Sequence, residues 1–223
     1  MRSHRPEIND LGVYLVTAEP ADQRTMPTVL AAVAGGVRMV QLRDKSGDTE
    51  QLVFLLRELH DQLRDTGTTL LVNDDVNAAL AVPGVGIHVG PDDLHPAAAR
   101  QTLGDEVCIG WSIHTLEQLS DVAALAACDY VAASPVWPTP TKADTTEPWG
   151  LEGVQTLRHR LPDDLGLVAI GGIGLSNADE VIRAGADGVA VVSAICSAAD
   201  PEAAAAQLCR IVDAARRDKR GPS

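Results

Sequence analysis

Aromatic residues are scarce: three Trp, two Tyr and one Phe in 223 residues. That is too few for the stacking platforms that single-stranded nucleic acids need. Positive charge is scarce as well. Eighteen Lys and Arg stand against 31 Asp and Glu, for a formal net charge of −13. A generic nucleic-acid partner, which demands a basic face, is thereby disfavoured. The four cysteines, Cys108, Cys128, Cys196 and Cys209, form no C-x-x-C pair. They read as buried reduced thiols, not as a metal site or a disulfide framework. No apolar run reaches membrane-spanning length before a Gly, Asp or Pro interrupts it. Residues 1–6 are polar and basic with no apolar stretch directly after them, so no export signal is expected. The expectation is a soluble cytoplasmic protein with no membrane partner.

What is present is ordinary for a folded domain: 45% hydrophobic and 22% charged residues. Short apolar, β-branched runs alternate with Ala/Leu-rich helical stretches. Strands are predicted at 12–17, 37–42, 69–72, 85–89, 107–111, 130–133, 167–170 and 188–192. Helices are predicted at 27–34, 49–65, 76–81, 96–103, 115–126, 151–160, 177–184 and 201–216. A polar, Pro-rich loop covers 134–148. Eight βα units at about 28 residues each match the compact end of the (β/α)8 TIM barrel. Strict alternation demands parallel pairing, and doubly buried parallel strands read as the continuous apolar runs seen here. An open doubly wound sheet is the main competitor, but no G-x-G-x-x-G follows the first strand. A single α/β domain over 11–217 is expected, with flexible ends at 1–10 and 218–223.

In such a barrel the chemistry gathers where the strands end, because all eight βα loops converge there. The chemically versatile residues fall in those positions. Gln41, Leu42, Arg43, Asp44 and Lys45 follow strand 2, and Asn73, Asp74 and Asp75 follow strand 3. Asp92 and Asp93 follow strand 4, and Ser112 and His114 follow strand 5. Thr139, Pro140, Thr141 and Lys142 lie after strand 6, Gly171-Gly172 after strand 7, and Val192-Ser193 at the end of strand 8. Asp75 reads equally well as a helix cap. Asp74 and Asp93, each taken alone, would be solvated loop carboxylates. Placed after adjacent strands they would repel unless a cation or substrate lay between them. An all-oxygen pair of that kind suits Mg2+, with waters and a phosphate completing the shell. His88 lies inside a strand pattern and reads as core packing, and His114 as a contribution to the start of a helix. Lys45 and Lys142 are isolated cations in a strongly acidic chain, which points to local anion binding. Glycine at 171–172 lets backbone N–H groups approach a phosphate, and the loops after strands 7 and 8 commonly form such a site.

The segments YLVT (14–17), VQLRDK (40–45), VNDDVNAAL (72–80), GIHVGPDD (86–93), GWSIHT (110–115), PVWPTPTK (135–142), IGGI (170–173) and GADGVAVVSAI (185–195) occur in one order. Together they resemble the thiamine-phosphate synthase family, whose members join a hydroxymethylpyrimidine diphosphate to a hydroxyethylthiazole phosphate. The resemblance implies a transferase that releases pyrophosphate, with two small-molecule substrates, Mg2+ as cofactor and a homo-oligomer left open. It implies that Gln41, Leu42, Arg43, Asp44, Lys45, Asn73, Ser112 and Lys142 serve the pyrimidine diphosphate. Thr139, Pro140, Thr141, Gly172, Val192 and Ser193 would serve the thiazole phosphate, and Asp74 and Asp93 would hold the metal. Lys45, Lys142 and Ser112 would be the catalytic set. Two departures are visible: Pro91 stands where the family has Gln, and Trp137 where Phe is usual. Three other readings share part of the pattern. A thiazole tautomerase would need no diphosphate machinery, and His114 would then be its leading acid–base group. A sugar-phosphate isomerase or epimerase shares only the phosphate turns. A non-catalytic phosphate-binding barrel would leave four charged mouth residues without chemical use.

Overall fold

The computed structural model describes residues 11–139 and 147–220. Eight parallel strands close in sequence order, β8 pairing back onto β1. They are β1 Val13–Val16, β2 Met39–Leu42, β3 Thr69–Asn73, β4 Gly86–Val89, β5 Ile109–Ile113, β6 Tyr130–Ala133, β7 Gly166–Ile170 and β8 Gly188–Val191. The helices outside them are α1 Thr25–Ala34, α2 Thr49–Leu63, α3 Val76–Ala81, α4 Pro96–Leu103, α5 Val122–Ala127, α6 Gly150–Arg160, α7 Ala178–Arg183, α8 Ser193–Cys196 and α9 Pro201–Arg220. The (β/α)8 expectation therefore holds.

The strands bury both faces, and the alternation divides the interior into two apolar layers. One layer, including Leu15, Val40, Leu42, Ile87, Ile109 and Val131, packs against the helices. The other, including Tyr14, Met39, Leu71, Cys108, Tyr130 and Val168, fills the barrel itself. Helix α2 shows how local sequence feeds this arrangement. Asp48 caps it by accepting from the Gln51 N–H at 3.0 Å. Leu52, Leu56, Leu59 and Leu63 then recur at 4-3-4 spacing on the buried side. Full burial of one such leucine contributes about 1.5–3 kcal/mol.

Four elements differ from the sequence expectation. The helix expected at 115–126 is broken: a 3-10 turn spans Leu116–Ser120, and α5 starts only after Asp121. Asp121 accepts from the Ala124 N–H, so it caps a new helix instead of continuing the old one. Strand β5 lies two residues later than expected, which brings Ser112 inside the strand. Helix α9 runs to Arg220, not Arg216, and Lys219 donates to the Gly185 carbonyl at 3.1 Å. Helix α8 was not expected at all. The four cysteines form no disulfide among the described residues; Cys108 and Cys128 are buried, whereas Cys196 and Cys209 are only partly so. Among the described residues no helix is long and apolar enough to cross a membrane.

The end of the barrel where the strands begin carries a repeated clamp. Asp129, just before β6, accepts from Arg100 of α4 and from the Ile109 N–H of β5. Asp187, just before β8, accepts in the same way from Arg158 of α6 and from the Leu167 N–H of β7. Arg100 also donates to the Ala127, Gly104 and Val107 carbonyls, and Arg158 to those of Leu165, Leu161 and Pro162. These part-buried charges are paired, as groups withdrawn from water require.

Candidate active site

At the other end, where the strands finish, Asp74 takes the left-handed backbone conformation with φ 61°. It is the one non-glycine residue with positive φ among the described residues. Asp tolerates this region at some cost, and such strain gathers at working sites. The Asp74 N–H is held by the His88 carbonyl at 2.9 Å. Its carboxylate meets that of Asp93 from the next loop, and the Lys45 ammonium lies 3.3 Å from Asp74 Oδ2. Burial, then the Asp93 carboxyl, push the Asp74 pKa up to about 6 from 3.8, against the opposing pull of Lys45. Asp93 is itself fixed by the Gly90 N–H at 2.8 Å. Asp75 turns out to be the cap of α3, accepting from the Asn77 and Ala78 N–H groups. The structure thus brings together Asp74, Asp93 and Lys45, as the sequence suggested. Pro140, Thr141 and Lys142 lie outside the described residues.

The 43–45 loop is anchored from below. Thr17, at the end of β1, accepts from the Arg43 N–H at 2.9 Å and donates back to the Arg43 carbonyl. Glu19 pairs with the Arg43 guanidinium and accepts from the Lys45 N–H at 2.9 Å. Asp44 is occupied with the Ser46 N–H. Leu42 points the other way: its side chain belongs to the layer between barrel and helices, leaving only its main chain for any ligand. Gln41 is buried on the inward face, its amide nitrogen 2.6 Å from the Tyr14 hydroxyl. Asn73 ends β3, level with His88 in the register of β3 and β4.

Polar side chains continue across the barrel lumen beneath this site. Tyr14 meets Tyr130 at 2.9 Å, Tyr130 meets His88 Nδ1 at 2.8 Å, and His88 Nε2 meets Ser112 Oγ at 2.9 Å. His88 is buried among them. Residue 110 must be glycine here: a Cβ would collide with the Tyr130 ring and hydroxyl and come within 2.6 Å of His88.

Across the mouth, the strand 6 loop runs alongside the Gly171-Gly172 turn. The Val136 N–H bonds to the Ile170 carbonyl and the Trp137 N–H to that of Gly171. Both glycines have positive φ, and a Cβ on Gly171 would lie 2.6 Å from Pro135. Both the tight-turn geometry and the close approach of a neighbouring loop therefore call for glycine. Trp149 closes the far end of the same loop, its indole N–H donating to the Ile113 carbonyl at 3.0 Å. Gly174 stands beside Ala194 of α8, so the loops after β7 and β8, with Gly172, Val192 and Ser193, are neighbours. Thr139 is the last of the described residues 11–139.

A family model described as thiamine monophosphate synthase matches residues 13–195. The chain belongs to that family. It is 45% identical over 214 residues to a thiamine-phosphate synthase of Albidiferax ferrireducens, covering 95% of this chain and 96% of the relative. The same-named protein of Azorhizobium caulinodans is 44% identical over 214 residues, covering 95% of this chain and all of the relative. A solved structure of thiamine phosphate pyrophosphorylase from Pyrococcus furiosus superposes with a TM-score of 0.82 at 32% identity, covering 93% of this chain and 98% of the other. With the family comes the activity: thiamine-phosphate synthesis, a transferase reaction of thiamine biosynthesis. The tautomerase, sugar-phosphate isomerase and non-catalytic readings are not favoured by these relatives.

Within this synthase fold several supporting residues escaped the sequence reading. Glu19 gave a signal, a carboxylate directly after β1 able to face the Arg43-Asp44-Lys45 charges. Gln118 gave none. Its Oε1 accepts from the His114 and Thr115 N–H groups and its amide donates to the Ser112 carbonyl, which ties down the end of β5. Tyr14 and Tyr130 sit in apolar runs that read as plain core.

Proposed function

We propose that this mouth joins an aminopyrimidine methyl diphosphate to a thiazole ethyl phosphate, releasing pyrophosphate and thiamine phosphate. The observation that carries the reading is the contact between Asp74 and Asp93 with Lys45 beside it. Two carboxylates pressed together at a cost in charge repulsion, offering only hard oxygen donors, fit Mg2+. Bound there, Mg2+ would draw off negative charge from the departing diphosphate.

The protein's own part is binding and alignment. Lys45 offers the diphosphate a mobile point charge, and Lys142 of the PTPTK segment is assigned to the same anion. Gln41, Asn73 and Ser112 hold the pyrimidine ring, and the main chain of 42–45 borders it. The bond between the pyrimidine methylene carbon and the diphosphate oxygen breaks, the oxygen keeping the electron pair. The cation that remains is stabilised by the electron-rich aminopyrimidine and captured by the thiazole nitrogen. No side-chain nucleophile is needed; orientation of two substrates is the main catalytic work. The backbone at Gly172, Val192 and Ser193, with Thr139, Pro140 and Thr141, is assigned to the thiazole phosphate, at neighbouring loops of the kind that bind phosphate in such barrels.

The test is to mix both substrates with Mg2+ and measure thiamine phosphate and pyrophosphate together. Stoichiometric appearance of both is expected. Conversion of the thiazole alone, with no pyrophosphate, would overturn the reading.

A further inference from the structure

The lumen beneath the mouth holds an unbroken chain, Gln41–Tyr14–Tyr130–His88–Ser112, with links of 2.6, 2.9, 2.8 and 2.9 Å. Its two ends lie on β2 and β5, and its three middle members on β1, β6 and β4. All five side chains are buried. The tyrosine rings meet edge to face, with centroids 5.9 Å apart, and His88 stacks on Tyr130 at 5.6 Å, so each hydroxyl is held in place by its ring. Burial drives both phenols well above their usual range, so each keeps its single proton.

Proton counting then fixes the chain's direction. The Gln41 amide N–H donates to Tyr14, so the Tyr14 proton goes on to Tyr130. The Tyr130 proton goes on to His88 Nδ1, which must accept it. A neutral His88 therefore carries its proton on Nε2 and donates to Ser112 Oγ. Three groups remain at the ends: the Gln41 carbonyl, an acceptor, with the second N–H of the same amide beside it, and the Ser112 hydroxyl proton, a donor. If the Gln41 amide were turned over, every link would reverse and the two ends would exchange roles. In either direction Ser112 and the half of the Gln41 amide turned away from Tyr14 present one donor and one acceptor.

We propose that this chain acts as one unit, with Tyr14, Tyr130 and His88 as positioning residues that make Gln41 an acceptor and Ser112 a donor for the ring of the substrate. An aminopyrimidine presents the matching pair, an amino N–H and a ring nitrogen, whereas an oxo-pyrimidine presents the two in swapped order. Specificity for the amino form thus comes from residues that do not touch the ring. This rests on the pyrimidine reading given above.

Two readouts separate the claims. In the substrate-free protein at pH 8, the ring 15N shifts of His88 should report the Nε2–H tautomer, and Tyr130→Phe should give a mixture. An Nδ1–H form in the wild type would overturn the assignment of Gln41 as acceptor and Ser112 as donor, and the same tautomer in both proteins would overturn the chain. In kinetics, Tyr130→Phe should raise KM for the aminopyrimidine diphosphate about tenfold while KM for the thiazole phosphate stays within about twofold. Its preference for the amino over the 4-oxo diphosphate, measured by competitive inhibition, should narrow by about the same factor. Equal changes for both substrates, or none, would overturn the positioning role. Tyr14→Phe breaks the chain nearer Gln41 and serves the same test should Tyr130→Phe fail to fold. A locked tautomer in a wild type that makes no thiamine phosphate would leave the chain standing and remove the pyrimidine reading instead.

Discussion

The two ends of this barrel treat their carboxylates in opposite ways. At the end where strands begin, Asp129 and Asp187 each receive an arginine and a backbone N–H, and the arginines fill themselves with carbonyls. At the end where strands finish, Asp74 is set against Asp93, with one half-exposed lysine as compensation. The first end is complete within the fold. The second sets two carboxylates against each other beside one lysine, the arrangement on which the proposal of a cation and a diphosphate rests. Stability and function are thus written at opposite ends, as the architecture allows.

The sharpest way to break this comparison is to remove one charge from each end. Asp74→Ala or Asp93→Ala should lower kcat/KM on the order of 10²-fold or more and raise the Mg2+ concentration needed, with the thermal midpoint unchanged or higher. Steady-state assays across a Mg2+ series with parallel melting curves check this; an unaltered metal requirement would count against the pair. Asp129→Ala should do the reverse. It leaves Arg100 buried without its partner and should cost about 3–5 kcal/mol in urea unfolding, with turnover per folded molecule retained.

A pH titration sharpens the contrast further. The Asp74 pKa is raised, to about 6 from 3.8, so between those values the folded state holds more protons than the unfolded chain. Stability contributed by this group should therefore fall as pH rises through that window and be regained on acidification. Carboxyl 13C NMR should show the Asp74 midpoint dropping when Mg2+ is added or in Asp93→Asn; a midpoint indifferent to both would remove the coupling. The smallest effect lies away from both ends. Asp48→Ala removes the cap of α2 and should cost about 1 kcal/mol with no change in kinetics, read by denaturant titration.

Much of this was legible because parallel strands buried on both faces spell themselves as apolar runs, and because βα alternation leaves few architectures. The Asp74–Asp93 pair was legible for the same reason: adjacent strands must place their following loops side by side. The break at Asp121 was not, since Ala-rich sequence around it favours a continuous helix and only the cap geometry decides. The clamps were hidden too, although the pattern Asp-x-Val-Ala recurs at 129–132 and 187–190. The tyrosine–histidine chain was least legible. Its members look like core because they are core, and their hydrogen-bonding meaning depends on partners 24 to 116 residues away.

That chain also governs traffic. Below it, Met39, Leu71, Cys108 and Val168 fill the lumen with side chains almost wholly removed from solvent. The barrel is consequently a well with a sealed bottom. Small molecules therefore meet the lumen from the mouth where the strands finish, the side on which Asp74, Asp93 and Lys45 stand.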